Sequence, residues 1–366
     1  MDAASPSGKR LLAADVCFGG GRTVRRLLNT LYVTTPEAYL ACDGENVLVK
    51  ADDQIKFRVP VHNLEGIVCF GFAGASPGLM YLCCERGVAL SFLTAYGKFR
   101  GRITGSVSGN VLLRRTQYRW SDEPDTTARL ARRFIAAKIV NSRALLHRVL
   151  RDHGDVVETE PLQQAMRSMA GMVERLDNTP HVDGLRGIEG EAAHTYFAHF
   201  NQLILAQKEA FSLSNRNRRP PTDNVNALLS FLYTLLAHET AAALETVGLD
   251  AQVGFLHRDR PGRPSLALDL MEELRPHFAD RLAVTLINRR QIGADGFILK
   301  ENGAVIMDDE TRKEVLTAWQ KRKQEEITHP YLGEKIPLGL VPYIQALLLA
   351  RHLRGDLEDY PPFFWK

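Results

Sequence analysis

The chain has 366 residues, 45% hydrophobic and 24% charged, with a formal net charge of +3, a balance that excludes fibrous and wholly disordered classes. So small a charge leaves any nucleic-acid surface to local clusters of Lys and Arg, and five cysteines without a CxxC pair read as reduced thiols of a cytoplasmic protein. No apolar run reaches the roughly 18 residues of a membrane span, and residues 1–26 lack the hydrophobic segment and cleavage site of a signal peptide, so no membrane partner is expected.

Residues 1–26 form an extension of unknown role. From about Leu27 the pattern becomes short and alternating. Ala38–Ala41 and Asn46–Val49 flank Asp43-Gly44, a strong hairpin signal. Ile55–Val59 alternates, and Gly66–Phe70 is a continuous apolar run, as in a buried strand. Residues 76–86 predict one short helix, and Val88–Leu93 returns to strand. The stretch 27–110 is therefore expected to be a small, mainly β domain.

The period then changes. Leu130, Phe134, Ile135, Ile139, Leu145, Leu146, Val149 and Leu150 recur at helical spacing, after a start signal at Asp122–Thr126. Further helices are predicted at about 161–177, 190–207, 223–247, 266–280, 309–326 and 339–354. A small hairpin is expected around Glu301-Asn302-Gly303. The fold class is α+β, with residues 111–366 as a helical domain.

One stretch concentrates chemistry. Gly254–His257 is an apolar approach ending in a histidine; a turn rich in Pro, Gly and Arg follows, and then a helix whose early turns carry Asp269 and Glu272. Residues three apart share a helix face, so both carboxylates point one way, and the preceding turn can bring that face toward His257. Three arginines, Arg258, Arg260 and Arg263, lie beside them. This suggests a metal site next to a phosphate track. Glu272 can equally be a surface acid paired with Arg275, Asp269 a helix-surface acid, and His257 a loop histidine bonded to backbone.

In Leu185–Phe197, Glu189 sits between Gly187 and Gly190 where a helix is predicted to start. It reads either as a metal ligand at a crowded helix start or as an ordinary first-turn acid favoured by the helix dipole. Unpaired carboxylates around one point are unfavourable without a cation. A Glu, His, Glu set suits Mg²⁺ or Mn²⁺, the imidazole tilting toward Mn²⁺, and ligand type alone does not exclude Zn²⁺. Arg216, Arg218 and Arg219, before Pro220-Pro221, read as a DNA-backbone contact or as a solvated loop. Asn226 and Tyr233 could face a substrate, although capping and packing explain them equally.

Taken together, Gly187-Ile188-Glu189-Gly190 with Ala193 and Tyr196, Pro221–Tyr233, and His257 through Pro276 resemble the CRISPR-associated Cas1 endonuclease/integrase family, the catalytic subunit of spacer acquisition. Leu28–Thr34 is similar to its I-C (Dvulg) branch. The resemblance runs from about residue 27 to the C-terminus. It implies an N-terminal β domain, a helical catalytic domain, a homodimer, and assembly with the small Cas2 subunit into an integration complex. It implies Mg²⁺ or Mn²⁺ held by Glu189, His257 and Glu272, with Asp269 as an acidic catalytic position beside them.

The chemistry so implied is metal-assisted phosphoryl transfer on double-stranded DNA. The 3′-hydroxyl of a short foreign DNA, the protospacer, attacks a phosphodiester at the edge of a CRISPR repeat. Two other readings stand beside it: a structure-specific metal-dependent nuclease acting on branched DNA, and a non-catalytic DNA-binding scaffold.

Overall fold

The computed structural model describes residues 29–365 apart from 36, 53, 72, 95–98, 106–109 and 218–219. The extension 1–26 and the predicted DNA contacts Arg218 and Arg219 therefore lie outside the described residues.

Two four-stranded sheets build the N-terminal region. In one, β1 (Asn29–Val33) pairs with a later, parallel strand of the chain, Leu64–Phe70. In the other, β2 (Tyr39–Asp43), β3 (Asn46–Ala51) and β4 (Gln54–Pro60) form an antiparallel meander. Its first turn needs Gly44, whose φ is +55°, as a tight hairpin requires. The apolar run Leu64–Phe70 is β5, central and parallel to both β1 and β7 (Ala89–Leu93); β6 (Gly74–Ala75) extends the meander and β8 (Phe99–Ile103) closes the first sheet. A strand covered on both faces needs no polar alternation. The helix α1 (Pro77–Arg86) starts where Ser76 accepts the Leu79 N–H at 3.2 Å and ends at Gly87, φ +67°. Leu40, Val47, Ile67, Leu79 and Leu90 fill the core between these elements.

From residue 111 the chain is mainly helical: α2 (Val111–Asp122), α3 (Pro124–His153), α4 (Thr159–Asp177), α5 (Val182–Ala198), α6 (Asn224–Thr246), α7 (Ser265–Glu272), α8 (Arg281–Asn288), α9 (Asp309–Lys323) and α10 (Val341–Leu353). Two short hairpins, β9–β10 (Phe297–Leu299, Val305–Met307) and β11–β12 (Glu326–Thr328, Lys335–Pro337), punctuate them. The core of this region also takes in Phe70 and Leu93 from the strands. Helix α6 is long and apolar enough to cross a membrane by length and composition, although its sequence offers no uninterrupted apolar run. Here it is a core helix. Leu228, Leu229, Leu232 and Leu236 are fully enclosed, each contributing about 1.5–3 kcal/mol through burial.

Several elements differ from the sequence-based expectation. Helix α2 was not foreseen because only Leu113 and Gln117 of its twelve residues are buried, so it has no apolar stripe to announce it. Helix α5 begins at Val182, well before 190, because the three glycines inside it read as loop. The two that flank Glu189 mark no close approach, since a Cβ on Gly187 or Gly190 would meet nothing within 4 Å, whereas one on Gly184 would lie 2.8 Å from Thr179 Cγ2. The predicted helix 266–280 breaks after Glu272, and a π-helical turn, Pro276–Asp280, leads into α8. Pro276 lacks the N–H that would continue the α-helical ladder.

Candidate metal centre

The loop before α7 is organised by one carboxylate. Asp269 is fully buried. Its Oδ2 accepts the N–H groups of Phe255 (2.6 Å) and Leu256 (2.9 Å), and its Oδ1 accepts the N–H of His257 (2.9 Å) and faces His257 Nδ1 at 2.6 Å. Gly254 is required for this wrap, since a Cβ there would lie 2.7 Å from Asp269 Oδ2 and 2.8 Å from the Ser265 carbonyl carbon. A carboxylate on Nδ1 fixes the tautomer in which Nδ1 carries the proton and Nε2 keeps its lone pair. Asp269, expected as an acid facing the chemistry, is thus turned onto the loop. Its two oxygens are taken up by the N–H groups of Phe255, Leu256 and His257 and by the His257 ring.

One turn later on the same helix face, Glu272 is 2% exposed. Its Oε1 lies 3.0 Å from Arg275 Nη2 and 3.8 Å from His257 Nε2, and its Oε2 lies 2.7 Å from Lys138 Nζ. Burial alone would push this carboxyl up, but Arg275 and Lys138 outweigh that and hold it well below the usual range. The expected pairing with Arg275 is therefore real, yet it is enclosed, not on the surface. The adjacent Glu273 points the other way. It accepts from the Phe363 N–H and the Tyr360 hydroxyl and so clamps the C-terminal tail, and burial pushes its carboxyl up to about 7.

Glu189 is the eighth residue of α5, too far from the N-terminus for a dipole role. Its Oε1 pairs with Lys138 Nζ. Lys138 rises from the middle of α3 and is the residue that sequence reasoning missed. It sits among the apolar residues of an otherwise regular helical stripe, Phe134, Ile135 and Ile139, where a charged residue is the anomaly that could have pointed to it. Burial pulls its ammonium down, but Glu272 and Glu189 hold it charged. Arg186 was also missed. From α5 its Nε donates to the Leu256 carbonyl at 2.7 Å and pins the residue before His257.

The remaining sequence candidates divide. Arg258 is exposed and pairs with Asp183 at 2.9 Å; Arg260 is exposed and Arg263 half-buried on the same loop. Arg216 donates to Asn226 Oδ1 (2.6 Å) and lies over the Tyr233 ring at 5.3 Å, with Arg275 over that ring at 4.8 Å. Asn226 is buried and locked by Asp223, which caps α6. Tyr233 donates to Asp280 at 2.6 Å, as Tyr196 does at 3.0 Å, and Tyr233, Arg275 and Lys138 line one small cavity.

Among the described residues no three His, Cys, Asp or Glu side chains already surround one point closely enough to hold a metal ion. The donor set nevertheless fits one. Glu189 and Glu272, from different helices, converge on a single ammonium, and the His257 Nε2 lone pair faces the Glu272 side of that point. Two hard carboxylates and an imidazole are the ligands of a divalent ion with open positions, and Lys138 fills the space between them.

Comparison with known proteins adds identity to this geometry. A sequence profile of the family described as CRISPR associated protein Cas1 matches residues 31–321. The chain is 52% identical over 343 residues to a CRISPR-associated endonuclease Cas1 of Chlorobaculum tepidum, covering 94% of this chain and 100% of that one. In fold it is similar to a casposase bound to integration product, with TM-score 0.79 and 22% identity over 91% of this chain and 92% of that one. It is also similar to a chain of a Cas6-RT-Cas1–Cas2 complex, with TM-score 0.78 and 23% identity over 93% of this chain and 36% of that longer one.

Proposed function

Because this chain belongs to the CRISPR-associated Cas1 family and is an endonuclease of it, we propose that it inserts short foreign DNA into the CRISPR array at the Glu189–His257–Glu272 cluster. The observation that carries the reading is the convergence of Glu189 and Glu272 on one buried cation, beside a histidine whose free nitrogen faces the same space.

The family is metal-dependent, and the donor set favours Mg²⁺ or Mn²⁺ here. Glu189, Glu272 and His257 Nε2 would hold it; when bound, such an ion polarises a phosphodiester and stabilises charge on the attacking and leaving oxygens. The protein's own residues do the rest. Asp269 keeps the His257 lone pair aimed at the site. Lys138 and Arg275 supply positive charge to a phosphate from within an enclosed cavity, where it counts for more than in water. Arg258, Arg260 and Arg263 extend that charge along the loop toward solvent, and Arg216, Arg218 and Arg219 belong to the same proposed DNA path.

The substrates proposed are double-stranded protospacer DNA and the CRISPR repeat. The 3′-hydroxyl of the first attacks a phosphodiester of the second, so one ester replaces another and no ATP is needed. We also propose a homodimer, assembly with Cas2, action in the cytoplasm without a membrane partner, an I-C type relationship, and division into the domains 27–110 and 111–366. Family membership and the shared fold with a chain of a Cas1–Cas2 complex support the Cas2 assembly.

An integration assay tests this. The protein and its small partner are incubated with a labelled duplex bearing free 3′-hydroxyls and a plasmid carrying the repeat, with Mn²⁺, Mg²⁺ or EDTA. Metal-dependent joined product is expected. Cleavage of branched DNA without joining would favour the structure-specific nuclease, and DNA binding without either reaction would favour the scaffold.

A further inference from the structure

Helix α2 places no side chain in the Glu189–His257–Glu272 cluster, yet one of its residues holds the chain that leads into it. Gln117 is fully buried. Its Nε2 donates to the carbonyls of Asp250 and Val253, both at 2.8 Å, and its Oε1 accepts the Asp250 N–H at 2.9 Å. A primary amide carries two donor hydrogens and an acceptor oxygen. Here both hydrogens and the oxygen go to the backbone of one four-residue segment, Asp250–Val253.

That segment is stitched on its other side to the start of α7. The Leu266 N–H donates to the Ala251 carbonyl at 3.0 Å, and the Ser265 N–H to the Gln252 carbonyl at 3.3 Å. Gly254 comes next, and after it Phe255, Leu256 and His257, whose N–H groups close on Asp269. Gly254 alone separates Val253, which Gln117 holds, from Phe255, which Asp269 holds. A hydrogen-bonded backbone with so little slack passes a displacement along instead of absorbing it. Without the amide, two carbonyls and an N–H would lose their partner, and backbone groups in that state draw the segment toward water. The end of that segment is the histidine whose Nε2 stands 3.8 Å from Glu272 Oε1.

We propose that Gln117 is a positioning residue for His257: its amide fixes Asp250–Val253 and, through Gly254, sets where the imidazole stands against Asp269 and Glu272. The inference rests on the reading of His257 as a member of the catalytic cluster. Gln117 acts only through the loop.

The test begins without metal. The full chain, labelled with ¹⁵N at histidine, is held in EDTA at about pH 8.5, where an ordinary imidazole is neutral. The His257 ring signals are identified by their loss in His257→Ala, and the wild type should show a protonated Nδ1 and a bare Nε2. Gln117→Met keeps the length of the side chain and removes the amide. Gln117→Asn keeps an amide too short to meet both carbonyls, and is the gentler change should the first fail to fold. Val315→Ala is the control for lost stability, since Val315 is fully buried on α9, which packs on α8 and β1.

In both Gln117 variants the His257 signals should move toward those of an unrestrained imidazole, further in Gln117→Met, and in Val315→Ala they should stay in place. Mn²⁺ affinity of the same proteins should weaken about three- to tenfold in Gln117→Met and stay at the wild-type value in Val315→Ala. His257 signals unmoved in the folded Gln117 variants would overturn the proposal. So would an equal movement in Val315→Ala, which marks general loosening. A wild type that bound no Mn²⁺ would overturn the metal reading instead, and the ring signals alone would then decide the role of Gln117.

Discussion

Lys138 on α3 and Glu272 on α7 stand 2.7 Å apart inside the protein, and the same ammonium also meets Glu189 of α5. Three helices are tied at one charged point. Removing one partner of a buried charge cluster leaves the others uncompensated. Lys138→Met should therefore lower stability in EDTA by about 3–5 kcal/mol. Added Mn²⁺ should restore part of that loss, since a cation would again lie between the carboxylates. Urea unfolding midpoints in EDTA and in Mn²⁺ check this. A loss of the same size in both would mean that the carboxylates do not share a cation.

Asp269→Asn keeps the size of the side chain but sets an amide nitrogen against donors that now face oxygens. Histidine orientation should loosen. The expected result is a cleavage rate lower by about 10–100-fold, with DNA affinity nearly unchanged and a lower melting temperature. Initial rates and anisotropy on the same preparation separate the two effects. A fall in affinity with an unchanged rate would place Asp269 on the DNA instead.

Asp280 receives two tyrosine hydroxyls, and burial pushes its carboxyl from 3.8 up to about 6, against the pull of Tyr233, Tyr196, Arg275 and Arg216. The folded state thus binds this proton more tightly than the unfolded chain does. The stability it contributes is fully present below about pH 3.8 and is lost as pH rises through about 6, up to about 3 kcal/mol. His277 acts in the opposite sense. Burial, with Arg322, Arg281 and Arg148, holds it well below 6.5, so its contribution is lost as pH falls below 6.5. The difference in unfolding free energy between wild type and Asp280→Asn cancels the histidine. That difference should shrink as pH rises from 5 to 7, and one that grows would contradict this assignment.

The β-then-helix order was legible because period 2 changes to period 3.6 near residue 110, and because Asp43-Gly44 and Pro124 act locally. Helix α2 was not legible, since it packs through Leu113 and Gln117 and exposes Val111, Leu112 and Tyr118. On the site side, the i, i+3 spacing of Asp269 and Glu272 placed both on one face, and the turn after His257 brought the histidine back to it. Spacing could not say which acid binds the histidine loop and which faces Lys138, because that depends on the backbone N–H groups of residues 255–257. Lys138 lies 51 residues from Glu189 and 134 from Glu272, so only the packing of α3 against α5 and α7 brings it in.

The most direct test of the central claim is the number of Mn²⁺ ions bound per chain and their affinity, measured by electron paramagnetic resonance of free Mn²⁺ during titration of the wild type, Glu189→Gln and His257→Ala. One site per chain is expected, with affinity weakened at least about tenfold in each variant while the fold persists. Wild-type occupancy and affinity in both variants would contradict it and move the metal, and with it the chemistry, away from the Glu189–His257–Glu272 cluster.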